Sequence, residues 1–193
     1  MMKESLDKFT SKNFSGICGI LASLVIFTSI LLAIYVSPWF RWTNNALSDL
    51  GVEEASALFF NGGLVLGGVL LFIFSLGLAK TLPNKIGAYL LAFGSLSLMG
   101  IGLFPETLFI PHYIVSATFF VLLALSLFVI GITTVKKQND RNIGAIACVF
   151  SVIAVCSAVL LNFFSGIAIP EAFASFPGII WCMIYSVKTA QQF

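Results

Sequence analysis

Long apolar stretches separated by short polar breaks dominate the pattern of this chain. A helix needs about 20 mostly apolar residues to cross a bilayer. Six windows approach or exceed this length: residues 14–36, 56–79, 86–104, 112–135, 143–163 and 170–187. Proline marks several of the breaks, at Pro38, Pro83 and Pro105, and Pro111 and Pro170 are placed to begin the next helix. The pattern predicts an all-α polytopic membrane protein, a bundle of six transmembrane helices that forms a single domain over residues 1–193.

The first apolar run follows several lysines, as a signal peptide would. A signal-peptide core is roughly 7–15 residues long and ends at a small-residue cleavage site. The run over residues 14–36 is longer and ends in Tyr35-Val36-Ser37-Pro38. We therefore expect it to be kept as a spanning helix.

Composition agrees with a membrane protein: 59% of the residues are hydrophobic, only 9% are charged, and the mean hydropathy is +1.05. Soluble domains carry roughly a quarter charged residues. The net charge of +2 is small, and no basic patch interleaved with aromatic residues exists. We therefore expect no nucleic-acid partner.

The placement of lysine and arginine sets the expected orientation, because short cytoplasmic loops of membrane proteins are enriched in these residues. With the N-terminus inside, nine of the ten basic residues lie on the cytoplasmic side and only Arg41 lies outside. Five of the eight acids lie outside: Asp49, Glu53, Glu54, Glu106 and Glu171. An odd number of spans would break this asymmetry. We expect both termini in the cytoplasm and a multi-pass protein of the cell membrane.

Small residues in the second and third spans predict how the helices pack. Gly63 and Gly67 form a GxxxG pair in the second span. In the third span a stripe recurs at helical spacing: Ala88, Ala92, Ser95, Met99 and Gly102. Small residues let helix backbones approach closely in a bilayer. We expect these two spans to pack against each other, and a homo-oligomer through the same face is the alternative.

The polar residues at the outer ends of the spans contain the candidate chemistry. Ser48 or Asp49 would cap the second span in a purely structural interpretation. Functionally, the candidate catalytic residues are Ser48 as nucleophile, with Asp49, Glu106 and His112 beside it, since a histidine next to a carboxylate has the chemistry of a general base or a metal ligand. A histidine anchored at the interface is the structural alternative. The chain has one histidine, and its four cysteines lie in apolar runs without CxxC spacing. We therefore expect no metal centre and no cofactor.

Five residues are candidates for binding. Arg41 is either a partner for the nearby acids or a contact for a phosphate. Glu54 and Asn61 are seven positions apart and share one helix face, and an amide at that depth is expected to face the bundle interior. Asn162, near the end of the fifth span, is placed to join Asn61, and Glu171 reaches the same membrane face.

These residues also indicate a family. The string Asn45-Ala46-Leu47-Ser48-Asp49-Leu50-Gly51, then Asn61-Gly62-Gly63, Phe104-Pro105-Glu106 and His112, resembles the six-helix membrane family known as domain of unknown function 998. The resemblance covers essentially the whole chain. It implies the six-helix architecture and a shared outer-face set of Ser48, Asp49, Asn61, Glu106 and His112, but no activity. A more distant similarity connects the chain to eukaryotic six-helix proteins implicated in lipid-anchor remodelling and autophagy. Intramembrane ceramidase-like hydrolases pair a serine and an aspartate with three histidines, and the single histidine here argues against zinc hydrolysis.

The leading hypothesis is an outward-facing polar pocket, walled by phenylalanines, that binds or modifies a lipid headgroup or another amphiphile. Membrane lipids would then be its partners. One alternative is a non-enzymatic scaffold or sensor, which predicts that the acids cap helices and do not converge. The other is a small transporter, which usually places ionisable groups at mid-depth, where these spans have none. The sequence leaves open whether the protein is an enzyme.

Overall fold

The computed structural model describes residues 12–190, without the side chains of residues 12 and 190. Six helices in this part of the chain are long and apolar enough to cross a membrane. The α-helices are α1 (Lys12–Tyr35), α2 (Glu54–Thr81), α3 (Ile86–Leu103), α4 (Phe109–Thr134), α5 (Arg141–Cys156) and α6 (Ala168–Ala190). The fifth span, Gln138–Asn162, includes α5 and the 3₁₀ helices on both sides of it. Short 3₁₀ helices cover Ser48–Gly51, Gln138–Asp140 and Ser157–Asn162. The predicted all-α, six-span fold is confirmed. Two of the basic residues expected on the cytoplasmic side, Lys3 and Lys8, lie outside the described residues.

The fifth span differs from the prediction because it is not one continuous α-helix. α5 ends at Cys156, and the 3₁₀ helix Ser157–Asn162 continues it. At this junction the Ser157 hydroxyl donates to Ala154 O at 2.7 Å, a local bond of the kind that competes with regular helix geometry. A 3₁₀ helix rises about 2.0 Å per residue, against about 1.5 Å in an α-helix. The combined element therefore still has the length of a membrane span.

The interpretation of Ser48 or Asp49 as the cap of the second span is wrong. α2 begins at Glu54, and the residue before it, Glu53, has an extended backbone and makes no capping bond with its side chain. Ser48 and Asp49 belong to the separate 3₁₀ helix Ser48–Gly51. Their side chains are therefore available for contacts other than the start of α2.

The six helices form a closed ring. Each helix packs against its neighbours in the chain, and α6 packs back on α1. Ser23 Oγ on α1 donates to Ile179 O at 3.1 Å, and Trp181 Nε1 on α6 donates to Ile143 O of α5 at 3.0 Å. Such bonds hold helices together in lipid, where hydrophobic burial gives little driving force. Ring closure brings the start of α6 beside the α1–α2 connection.

Glycines mark close contacts of α2, but the GxxxG pair does not face the predicted neighbour. A methyl group on Gly63 would lie closer than 3.0 Å to Ser29 of α1, and Gly67 also faces α1. The expected packing of this pair on the third span is therefore wrong. The contact between α2 and α3 is itself confirmed, and it uses Gly68, which faces Met99. Adjacent helical positions are about 100° apart. Gly67 therefore faces α1 and Gly68 faces α3.

The connections divide between the two ends of the bundle. Lys188 near the end of α6 forms an ion pair with Asp140 and donates to Asn139 O at 2.9 Å, which places the α4–α5 connection beside the C-terminal end of α6. The opposite end carries the α1–α2 and α3–α4 connections, residues 36–53 and 104–108, and the connection from the fifth span to α6, residues 163–167. We call this end the acidic face, because Asp49, Glu106 and Glu171 all lie there.

Two adjacent glycines of α2 test this packing. We expect Gly63→Ala to lower the free energy of unfolding by about 1–3 kcal/mol, since the added methyl overpacks the contact with Ser29. Gly62→Ala is the matched control, because a methyl there has nothing within 4 Å. Thermal unfolding of both variants in detergent measures the difference. Equal midpoints for the two variants would contradict the α1–α2 contact.

Candidate functional site

The long α1–α2 connection is tied by main-chain bonds to the connection between α5 and α6. Gly166 N donates to Thr43 O at 2.8 Å, and Ala168 N donates to Asn45 O at 2.8 Å. A Cβ on Gly166 would lie closer than 3.0 Å to main-chain atoms of Asn44 and Asn45. Main-chain atoms cannot swing aside as a flexible side chain can. The approach of the two connections therefore requires glycine at position 166.

Glu171 extends this tie into the first turn of α6. Its Oε2 accepts a hydrogen bond from Leu47 N at 2.6 Å, across 124 positions of the chain. Leu47 is buried, and a buried N–H left without an acceptor costs about 1–3 kcal/mol. The bond therefore stabilises the connection and places the next residue, Ser48, beside the start of α6.

Asp49 and Asn61 hold the 3₁₀ helix that carries Ser48. Asp49 Oδ2 accepts from Ala46 N at 3.0 Å and from Asn45 Nδ2 at 2.9 Å. The Asn61 side chain on α2 donates to Gly51 O at 2.9 Å. Both polar groups are thus bonded to the connection itself, so they position Ser48.

A cavity of about 460 Å³ lies under the acidic face, between α4, the 3₁₀ helix after α5 and the start of α6. This volume is within the range of about 300–1,000 Å³ that is usual for small-molecule sites. Its polar lining is formed by Ser48, Glu106, His112, Ser116, Ser157 and Glu171. Its aromatic and apolar lining is formed by Phe109, Tyr113, Ala117, Phe120, Ala154, Ala158, Leu161, Ile167, Pro170 and Ala174.

Four of the nine sequence-predicted site residues therefore meet in one cavity. Three are candidate catalytic residues, Ser48, Glu106 and His112, and the fourth is the candidate binding residue Glu171. The predicted phenylalanine walls also contribute, through Phe109 and Phe120.

The carboxyl groups at the polar end lack positive partners. Glu106 Oε2 is buried and has no hydrogen-bond partner in the part of the chain that the structure describes. Glu171 lies within electrostatic range of both Glu106 and Asp49. The described lining includes no lysine or arginine. This end of the cavity therefore gathers carboxyl groups with no described basic residue beside them.

His112 and Ser48 line the cavity, and each has a polar atom without a hydrogen-bond partner in the described residues. His112 Nδ1 lies 2.7 Å from Phe104 O, and because a carbonyl oxygen only accepts, the ring nitrogen donates. His112 is 9% exposed and Ser48 is 6% exposed. Neither His112 Nε2 nor Ser48 Oγ has a hydrogen-bond partner among residues 12–190.

These contacts do not join Ser48 to His112 or Asp49, as a catalytic nucleophile and its base would require. A nucleophile and its base need hydrogen-bond reach, but His112 bonds to Phe104 O and Asp49 to the connection around it. Within the described residues Ser48 is bonded to neither. No group of three or more His, Cys, Asp or Glu side chains in this part of the chain is arranged to hold a metal ion. The catalytic roles stay a prediction.

The cavity opens on the flank of the bundle. Phe109, Tyr113 and Leu161 line it while being 75%, 67% and 51% exposed. They lie on α4 and on the 3₁₀ helix Ser157–Asn162, so the opening is between these two elements. The α4 lining from Phe109 to Phe120 extends about 16 Å along the helix at about 1.5 Å per residue. In a bilayer, the part below the first turn of α4 would face acyl chains.

A second cavity of about 40 Å³ lies next to the first and deeper in the ring. Ser48, Ser116, Phe120 and Glu171 line both cavities. The remaining lining of the small cavity comes mainly from α1, α2 and α3 and is nearly all apolar. We call it the side chamber.

Arg41, Glu54 and Asn162 do not line the cavity. The Arg41 guanidinium donates to Pro38 O at 2.9 Å and to Phe40 O at 3.0 Å, and within the described chain it forms no ion pair with the acids. Glu54 is exposed at the start of α2.

Asn162 is also exposed, and it donates to Val159 O at 3.1 Å, so its expected meeting with Asn61 is wrong. The reason is local. A 3₁₀ helix turns about 120° per residue and an α-helix about 100°, so the 3₁₀ segment rotates Asn162 away from the direction that a continuous helix predicts.

Sequence reasoning missed Ser116, Ser157 and Tyr113. Ser116 had a usable signal, because it follows His112 by four positions and so shares its helix face. Ser157 lies in an apolar run without a local signal, and only the packing of the α5 end on α4 and α6 brings it to the cavity.

A comparison with known protein families tests the family resemblance that the sequence motifs indicated. The family described as Protein of unknown function (DUF998) matches residues 20–188. The chain belongs to this family. The match extends from the first turns of α1 almost to the end of α6, so the cavity residues of this DUF998 protein all lie within the family region. Neither the curated proteins nor the solved structures yield a match.

The tie between the two connections of the DUF998 fold can be tested at position 166. We expect Gly166→Ala to lower the free energy of unfolding by about 1–3 kcal/mol and to speed proteolysis of the α1–α2 connection, because a methyl there collides with main-chain atoms. Ser165→Ala is the control, since it removes only an exposed bond to Thr43 O. If both variants resist protease like the parent chain, the two connections are not joined as described.

Proposed function

We propose that this DUF998 protein binds a membrane amphiphile, with the polar head at the acidic end of the cavity and the tail along its apolar flank. The observation that carries this proposal is the division of the main cavity into a polar and an apolar lining. Buried polar groups lie at its inner end, and exposed aromatic residues lie at its opening. A ligand with one polar end and one apolar end matches this division.

The arrangement of the acids favours a binding pocket over a scaffold. A scaffold predicts acids that cap helices and stay apart. Instead, Glu106 and Glu171 line the same cavity, and Glu53 before α2 makes no capping bond. An orphaned buried oxygen such as Glu106 Oε2 is also costly unless a ligand, a proton or water satisfies it. These features support ligand binding.

Chemical modification of the ligand is a further hypothesis. Ser48 is the candidate nucleophile and lines the cavity, but no base is bonded to it in the described residues. Binding needs no such activation. We therefore propose binding as the function, and the enzymatic version stays a prediction whose first test is loss of any detected turnover in Ser48→Ala.

We further propose that the acidic face is extracytoplasmic and that the protein lies in the cell membrane. The support is the asymmetry of lysine and arginine between the two ends of the six-span bundle. An impermeant thiol reagent applied to intact cells should label a cysteine introduced at Glu53 and should not label one at Lys137. The reverse labelling pattern would contradict the orientation.

Two neighbouring residues of the 3₁₀ helix test amphiphile binding. Ala158 lines the cavity and Val159 does not, although both are exposed. We expect Ala158→Phe to reduce crosslinking by a lipid with a photoactivatable tail severalfold, because the added ring fills the opening, whereas Val159→Phe leaves it unchanged.

Mass spectrometry of the protein crosslinked in nanodiscs supplies the readout. In the parent chain the label should concentrate on Tyr113 and Phe120. Uniform labelling over the lipid-exposed surface, or equal labelling of both variants, would count against the pocket.

A further inference from the structure

The charge of the cavity restricts the kind of head that it can receive. Glu106 and Glu171 line the polar end, and Asp49 lies within electrostatic range of Glu171. One oxygen of Glu106 is buried without a partner. An anionic head placed here would be repelled by each of these carboxyl groups that is ionised.

No described cation is placed to offset that repulsion. Phosphate and sulfate heads are bound by arginine, lysine or free main-chain N–H groups. Arg41 is outside the lining and bonds to carbonyl oxygens, and Leu47 N is already used by Glu171. The other basic residues with described side chains belong to the opposite end of the bundle: Lys80, Lys85, Lys136, Lys137, Arg141 and Lys188.

We infer that the cavity takes an amphiphile with a positively charged ammonium head, an inference that rests on the proposed function. An ammonium supplies the positive partner that the carboxyl groups lack. Aromatic residues also line the cavity, and an aromatic ring attracts a nearby cation through its face.

The test measures binding of four probes to the full chain in a neutral maltoside detergent. Three share one alkyl chain length and differ in head: an alkyltrimethylammonium, an alkyl sulfate and an alkyl alcohol. The fourth, tetramethylammonium, has no tail. We expect the ammonium amphiphile to bind on the order of tenfold more tightly than each of the others, as a desolvated charge pair allows.

Conservative substitutions test whether the carboxyl groups of Glu106 and Glu171 bind the ammonium head. Glu106→Gln and Glu171→Gln should each weaken binding of the ammonium amphiphile roughly tenfold and leave the alcohol unaffected. Glutamine at 171 keeps an acceptor for Leu47 N, so the fold should persist, which circular dichroism checks. Glu54→Gln is the matched control, an exposed acid at the same face that does not line the cavity.

The outcomes distinguish a failure of the charge inference from a failure of the proposed function. Tighter binding of the sulfate, or equal binding of the alcohol and the ammonium amphiphile with no effect of the glutamine variants, overturns the charge inference and leaves amphiphile binding standing. Binding of tetramethylammonium as tight as that of the tailed ammonium overturns the amphiphile class. Failure of every tailed probe to bind overturns the proposed function itself.

Discussion

The hydrogen bond from Leu47 N to the Glu171 carboxylate, together with the main-chain bonds at Gly166, holds the acidic face in one arrangement. It joins the α1–α2 connection to the start of α6, elements that are far apart in the chain and become neighbours only when the ring of helices closes. Without this tie the connection would have no fixed depth, and Ser48 would not be brought to the wall between the main cavity and the side chamber. Because Glu171 also lines the cavity, the same carboxyl group that stabilises the fold also forms part of the site.

That double role explains how a small bundle can maintain polar groups at membrane depth. Buried polar groups are tolerated where protein atoms satisfy them, and here the bonds of Asp49 and Asn61 satisfy the connection itself. Glu106, Ser48 and His112 line the cavity, and each keeps a polar atom without a hydrogen-bond partner in the described residues. These residues lie at the polar end of the cavity, whereas the exposed aromatic rings lie at its opening. The separation of the two environments gives the cavity the character of an amphiphile site.

Much of this arrangement follows from the sequence, because lipid imposes simple rules on a chain. Apolar length gives the six spans, and an even number of crossings brings Glu106, His112 and Glu171 to one end. The sequence does not reveal the contacts that depend on ring closure, such as the bond between Leu47 and Glu171. It also misleads where local geometry changes. The 3₁₀ segment after α5 turns Asn162 outward, and the separate turn at Ser48 removes the expected cap of α2.

A density map of the protein in lipid nanodiscs tests the central claim most directly, because it reports both the tie and the cavity. We predict that Leu47 N lies within hydrogen-bond distance of the Glu171 carboxylate, and that elongated density extends from the carboxyl groups of Glu106 and Glu171 to the opening between α4 and the 3₁₀ helix. A map in which α4 and α6 close the space, or in which the α1–α2 connection lies away from α6, would contradict the account.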